Sequence, residues 1–161
     1  MSSCVFPGSF DPVTVGHMDI IARASAVFDT VFVMVMINVN KQGCIPIDDR
    51  LRILRKACRR YTNVKVDQWD GLLSDYMREH RQKILIRGVR RCSEFENEYA
   101  SALINRRLND QFETLLIPAD PELSAISSSA VREITVFGGN IKGLVPEECL
   151  KDIQGILSKK K

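Results

Sequence analysis

Short apolar runs alternate along this chain with longer stretches of helical period. The runs at 2–6, 30–37, 62–67, 83–87 and 113–117 are rich in Val, Ile, Leu or Phe and read as strands. Helical patterns lie between them. Over 17–28, Met18, Ile21, Ser25 and Phe28 share one face. Over 47–60, Leu51, Leu54 and Cys58 do so, behind Pro46 and the acidic pair Asp48-Asp49 that suits a helix's positive end. A shorter helix is expected over 71–80. Over 93–108, Phe95, Tyr99, Ala102 and Leu103 line one face, with Arg106 and Arg107 near the negative end. Helices near 128–137 and 146–157 follow the last strand, the second opened by Pro146. This alternation predicts an α/β fold: a Rossmann-like, doubly wound sheet of about five parallel strands, with helices on both faces and C-terminal helices. No internal repeat, low-complexity linker or shift in composition interrupts it, so 1–161 reads as a single domain.

A parallel sheet of this kind binds ligands beyond the carboxyl ends of its strands. The rule selects the segments that follow each strand: 8–17, 38–41, 71–73, 87–91 and 118–129. Composition changes that picture little. Hydrophobic content of 45% and charged content of 27% are ordinary for a globular protein, so neither disorder nor a membrane class is indicated. No apolar run approaches the ~20 residues of a membrane span, and no basic start followed by a long apolar stretch suggests a signal peptide. The five cysteines are scattered and contain no Cys-x-x-Cys, which fits free thiols in a reducing cytoplasm. A net charge of +3 suits small anionic ligands and is too weak to argue for nucleic acid.

The candidate chemistry falls in the segments the topology selects. Residues 8–17 read Gly-Ser-Phe-Asp-Pro-Val-Thr-Val-Gly-His between a strand and a helix. Unpaired N–H groups and the positive end of the helix dipole suit a phosphate there, Gly16 admits a close approach, and His17 adds a donor. Read blandly, Asp11-Pro12 is a turn, Thr14 a cap and His17 a surface residue. Lys41 follows the second strand and is either a phosphate partner or a solubilising loop lysine. Arg87-Gly88-Val89-Arg90-Arg91 follows the fourth strand and places guanidinium groups, which bind phosphate in bidentate fashion, around a glycine. Glu98, on the next helix, is either a surface carboxylate or a partner for a ribose or an arginine. Ile126-Ser127-Ser128-Ser129 opens a further helix with more hydroxyls than a simple cap requires. No P-loop, dinucleotide fingerprint or nucleophile elbow occurs, and the two histidines form no metal-ligand cluster with the cysteines.

The Thr-x-Gly-His end of the first motif resembles the signature of the nucleotidyltransferase superfamily. The full order of motifs — Gly-Ser-Phe-Asp-Pro…Thr-x-Gly-His, then Asn-Lys, Arg-Gly-Val-Arg…Glu-Phe-Glu-x-Glu and Ile-Ser-Ser-Ser — resembles the bacterial phosphopantetheine adenylyltransferase family over essentially the whole chain. The resemblance implies transfer of the adenylyl group of ATP to 4′-phosphopantetheine, giving dephospho-coenzyme A and pyrophosphate. It also implies Mg²⁺ with the ATP, a homohexamer and feedback inhibition by coenzyme A. By resemblance, His17, Lys41 and Arg90 are catalytic. Ser9, Phe10, His17, Gly88, Val89, Arg90, Glu98, Leu123, Ser124, Ala125, Ile126, Ser127, Ser128 and Ser129 line the ATP site. Ser9, Lys41, Leu73 and Arg87 contact the phosphopantetheine. No residue is expected to hold a metal by itself, and neither nucleic acid nor membrane is expected as a partner. Ser9, the pair Gln42-Gly43, Asn97, Leu123 and Ala125 depart from the family's usual residues. Competing readings are a nucleotidyltransferase acting on nicotinamide mononucleotide or a phosphorylated polyol, a nucleotide-binding regulator without turnover, and a nucleic-acid-binding module.

Overall fold

The computed structural model describes residues 1–37 and 43–160. Five strands form one sheet: β1 (Ser3–Gly8), β2 (Thr30–Met36), β3 (Val64–Trp69), β4 (Ile84–Val89) and β5 (Glu113–Pro118). All neighbours are parallel and the order is β3-β2-β1-β4-β5. The chain winds outward from β1 to β3, then restarts beyond β1 with β4. The cleft above the carboxyl ends of β1 and β4 is therefore the topological switch point, where such sheets bind ligands.

The two sides of each strand bury different neighbours, as the period-2 geometry of a strand requires. Cys4 and Phe6 of β1 and Val31, Val33 and Val35 of β2 pack against α1 (Val15–Val27), α2 (Ile47–Cys58), α5 (Ser128–Val136) and α6 (Leu150–Leu157). Val5, Met34 and Leu85 point the other way, onto Tyr76 and Met77 of α3 (Leu73–Glu79). Helix α4 (Cys92–Leu108) packs beside α3 over β4 and β5. The doubly wound architecture is thus as the apolar pattern predicts, with the boundaries of the strands and of α1 to α5 shifted by at most two residues. The stretch 146–157 is not one helix. A 3₁₀ turn at Glu147–Cys149 precedes α6: Pro146 starts the turn, and Cys149, at φ −101° and ψ −7°, separates it from the helix.

Helix α4 forms where the pattern predicts it, and no residue of this 17-residue helix is buried. Phe95, Tyr99 and Leu103 are each about half exposed, and Ile104, Leu108 and the neighbouring Leu115 are exposed with them. Burial pushes the thiols of Cys4 and Cys58 up to about 12 and that of Cys149 up to about 11, so these cysteines are protonated core residues. No helix among the described residues is long and apolar enough to cross a membrane.

Candidate active site

A cleft of about 960 Å³ opens at the switch point. Helix α1 begins at its floor. Thr14 is the cap, and its hydroxyl accepts from the His17 N–H at 3.4 Å. His17 returns the contact: its ring Nδ1 lies 3.0 Å from the Thr14 backbone N–H, which donates to it. Each member of this capping box satisfies an N–H the other leaves open. The bland and the functional readings of the motif therefore meet in one residue.

That contact decides the tautomer. A ring nitrogen that accepts carries no proton, so the neutral imidazole holds its proton on Nε2. Burial lowers the His17 pKa to about 4, with Arg90 and Arg87 adding their repulsion. At neutral pH the cleft thus has an uncharged histidine with one N–H to donate. Phe10 stands behind it, with ring centroids 5.0 Å apart in an edge contact. Phe10 itself is buried at φ 44°.

Four arginines surround the cleft, and each guanidinium is held. Arg87 makes a bidentate pair with Glu98, at 2.7 Å from Nε and 2.6 Å from Nη2, and donates to the Pro7 carbonyl at 2.7 Å. Arg90 pairs with Glu94 at 2.5 Å and reaches the Ile126 carbonyl at 2.9 Å. Burial pushes the Glu94 carboxyl up, but the hydrogen bonds from Arg90 outweigh it and hold it below its ordinary value. Arg50, itself buried, donates to the carbonyls of Ile45 at 2.7 Å and Ser9 at 3.2 Å. Arg132 donates to the Asp11 carbonyl at 2.5 Å and to the Ser129 hydroxyl at 3.0 Å. Donors fixed in this way need not reorganise when negative charge develops between them.

The serine run divides its work. Ser127 caps α5, accepting from the Ala130 N–H at 3.1 Å. Ser128 donates to the Pro12 carbonyl at 2.7 Å, tying α5 to the first loop. Ser129 receives Arg132. Gly16 faces the same space. A Cβ there would meet no protein atom closer than 3.6 Å, so the protein's own packing does not demand a glycine. At Gly88 a Cβ would come within 3.1 Å of Ile20, so that glycine seats α1 against β4.

The cleft brings together Ser9, His17, Leu73, Arg87, Gly88, Arg90, Glu98, Ile126, Ser127, Ser128 and Ser129, all named from sequence. Phe10, Val89, Leu123, Ser124 and Ala125 do not line it: Phe10 is part of the core, and Leu123 and Ser124 belong to or flank a 3₁₀ turn beyond β5. Lys41 lies outside the described residues. Sequence reasoning missed Asp11, Cys44, Arg50, Glu94 and Arg132, all of which line the cleft. Among the described residues no three His, Cys, Asp or Glu side chains converge as a metal site.

A β1-centred parallel sheet with a Thr-capped histidine and fixed arginines at its switch point defines a nucleotidyl-transfer class of protein. In agreement, residues 5–134 match the family model described as cytidylyltransferase-like. A crystal structure assigned as a nicotinate-nucleotide adenylyltransferase from Vibrio parahaemolyticus shares the fold, with a TM-score of 0.66 over 96% of this chain and 95% of that one, at 15% identity. Proteins named phosphopantetheine adenylyltransferase are more alike in sequence. That of Clostridium perfringens is 42% identical over 96% of this chain and 94% of its own. That of Clostridium tetani is 44% identical over 95% and 96%, and that of Clostridium botulinum 41% over 100% and 98%. The chain belongs to the phosphopantetheine adenylyltransferase family.

Proposed function

We infer that this chain transfers the adenylyl group of ATP to 4′-phosphopantetheine, giving dephospho-coenzyme A and pyrophosphate. The observation that carries the reading is the convergence of His17, Arg87, Arg90 and the α5 N-terminus in one cleft of a chain from this family. A phosphate oxygen of phosphopantetheine attacks the α-phosphorus of ATP in line, and pyrophosphate leaves. A phosphate is already ionised at neutral pH, so the step needs positioned donors and not a general base. The Nε2–H of His17 meets the charge that grows on the α-phosphate. Arg90 and the α5 N-terminus hold the nucleotide, with Glu98 at the cleft wall. Ser9, Leu73 and Arg87 hold the acceptor. Lys41 is assigned to the acceptor's phosphate by family likeness alone.

Mg²⁺ enters this reading as the ion of ATP, where it offsets phosphate charge. The described residues offer it no cage of their own. The Asp11 oxygens accept from the Cys44 and Ile45 amides, and Glu94 and Glu98 hold arginines. The exposed apolar side of α4 supports assembly into the homohexamer that the family likeness suggests. Feedback inhibition by coenzyme A and a cytoplasmic location belong to the same reading. The test is release of pyrophosphate from ATP, Mg²⁺ and 4′-phosphopantetheine by purified protein. Release with nicotinamide mononucleotide and none with phosphopantetheine would reassign the acceptor.

A further inference from the structure

Asp11 is a buried carboxylate at the back of the cleft, and three segments far apart in sequence meet on it. Its Oδ1 accepts from the Ile45 N–H at 2.7 Å, and its Oδ2 from the Cys44 N–H at 2.8 Å. The Arg50 Nε lies 3.5 Å from Oδ1 and Arg132 Nη1 4.0 Å from Oδ2. Through Arg50 the network reaches the Ser9 carbonyl, and through Arg132 it reaches Ser129 at the start of α5. The loop that leads to His17, the segment entering α2 and the N-terminus of α5 are thus registered on one side chain.

Stability alone does not explain the arrangement. Burying a charge costs several kcal/mol, and a packed apolar replacement is often at least as stable. A hydrogen-bonded buried ion fixes relative positions that an apolar contact would leave free. Gly43 shows how closely the network is fitted: a Cβ there would lie 1.2 Å from Arg50 Nη2. We propose that Asp11, acting through Arg50 and Arg132, is a positioning residue that sets the phosphate-facing segments of this cleft in the geometry the transfer requires. The inference rests on the adenylyl-transfer reading above.

Asp11→Asn keeps the shape, removes the charge and turns an N–H toward one of the two amides. A displacement of about 1 Å at a reacting centre costs on the order of 10² in rate, so kcat should fall by about that factor while both KM values change far less. Exchange of the Cys44 and Ile45 amide hydrogens should accelerate. Ile153→Val, in the core on α6, thins the packing away from the cleft and should lower the melting temperature without lowering kcat. Gly43→Ala supplies a probe that leaves the carboxylate intact. The added Cβ runs into Arg50, which it must displace, and kcat should fall again. Because both changes act through Arg50, the double variant should lose less than the product of the two losses. A wild-type kcat in Asp11→Asn and Gly43→Ala, or losses no larger than that of Ile153→Val at equal distance below the melting point, would refute the positioning role. Failure of the wild-type chain to transfer adenylate would instead remove the functional reading.

Discussion

His17 combines two duties that pull in one direction. By closing the capping box it stabilises the start of α1, and by accepting at Nδ1 it fixes its own proton on Nε2. A donor aimed at developing charge lowers the barrier more than it tightens ground-state binding. His17→Ala should therefore cost about 10²–10³ in kcat, with a much smaller change in ATP affinity measured by titration calorimetry. The pH dependence follows from the lowered pKa. The folded protein keeps His17 neutral down to about 4, whereas the unfolded chain takes up the proton near 6.5. Between those values the unfolded state binds more protons, so this residue's contribution to stability is lost as pH falls from 6.5 toward 4. The His17 contribution to kcat should stay level from neutral pH down to about 5 and fail only as pH nears 4. An NMR titration of the ring nitrogens that moved near pH 6.5 would show that the burial argument is wrong.

At the scale of elements, the start of α5 carries the serine run, and Ser127 does the capping. Ser127→Ala should cost about 1 kcal/mol in stability, read as a lower melting temperature, and should weaken ATP binding as the N-terminal amides lose their order. Unchanged melting would mean that Ser128, through its bond to Pro12, holds the helix start alone. The strand ends and this helix start were legible in the sequence because each is a local signal: an apolar run, then a glycine, arginine or serine cluster. Asp11, Arg50 and Arg132 were not, because their meeting is made by the tertiary fold and leaves no spacing to read. One trace was available. Arg50 falls on the stripe of α2 that also holds Leu54 and Ala57, all buried, and a charge on an apolar stripe needs a buried partner. In α4 the pattern gave the helix correctly and left its burial open, since periodicity identifies an apolar face without saying what covers it.

For the whole molecule, the proposed assembly would bear on the site through that uncovered face. On one side of α4, Glu94 and Glu98 hold Arg90 and Arg87 over the cleft. One residue further round, Phe95 and Tyr99 stack with centroids 6.2 Å apart and stand about half exposed. Exposed apolar surface of this extent is where a second copy of a chain gains most from contact. With nothing buried on the helix itself, a neighbour pressed on this face would also steady the two carboxylates and hence the two arginines. The purified chain should sediment near six times 18.2 kDa. Tyr99→Glu places a charge in the contact, so it should shift the mass toward smaller species. Because Tyr99 does not line the cleft, any loss of turnover in that variant must come through α4. The expected result is a fall in kcat that tracks the fraction dissociated as the protein is diluted. Full turnover by a dissociated variant would show that α4 holds the arginines without a partner, and a monomeric wild-type chain would remove the hexamer while leaving the cleft's chemistry as argued.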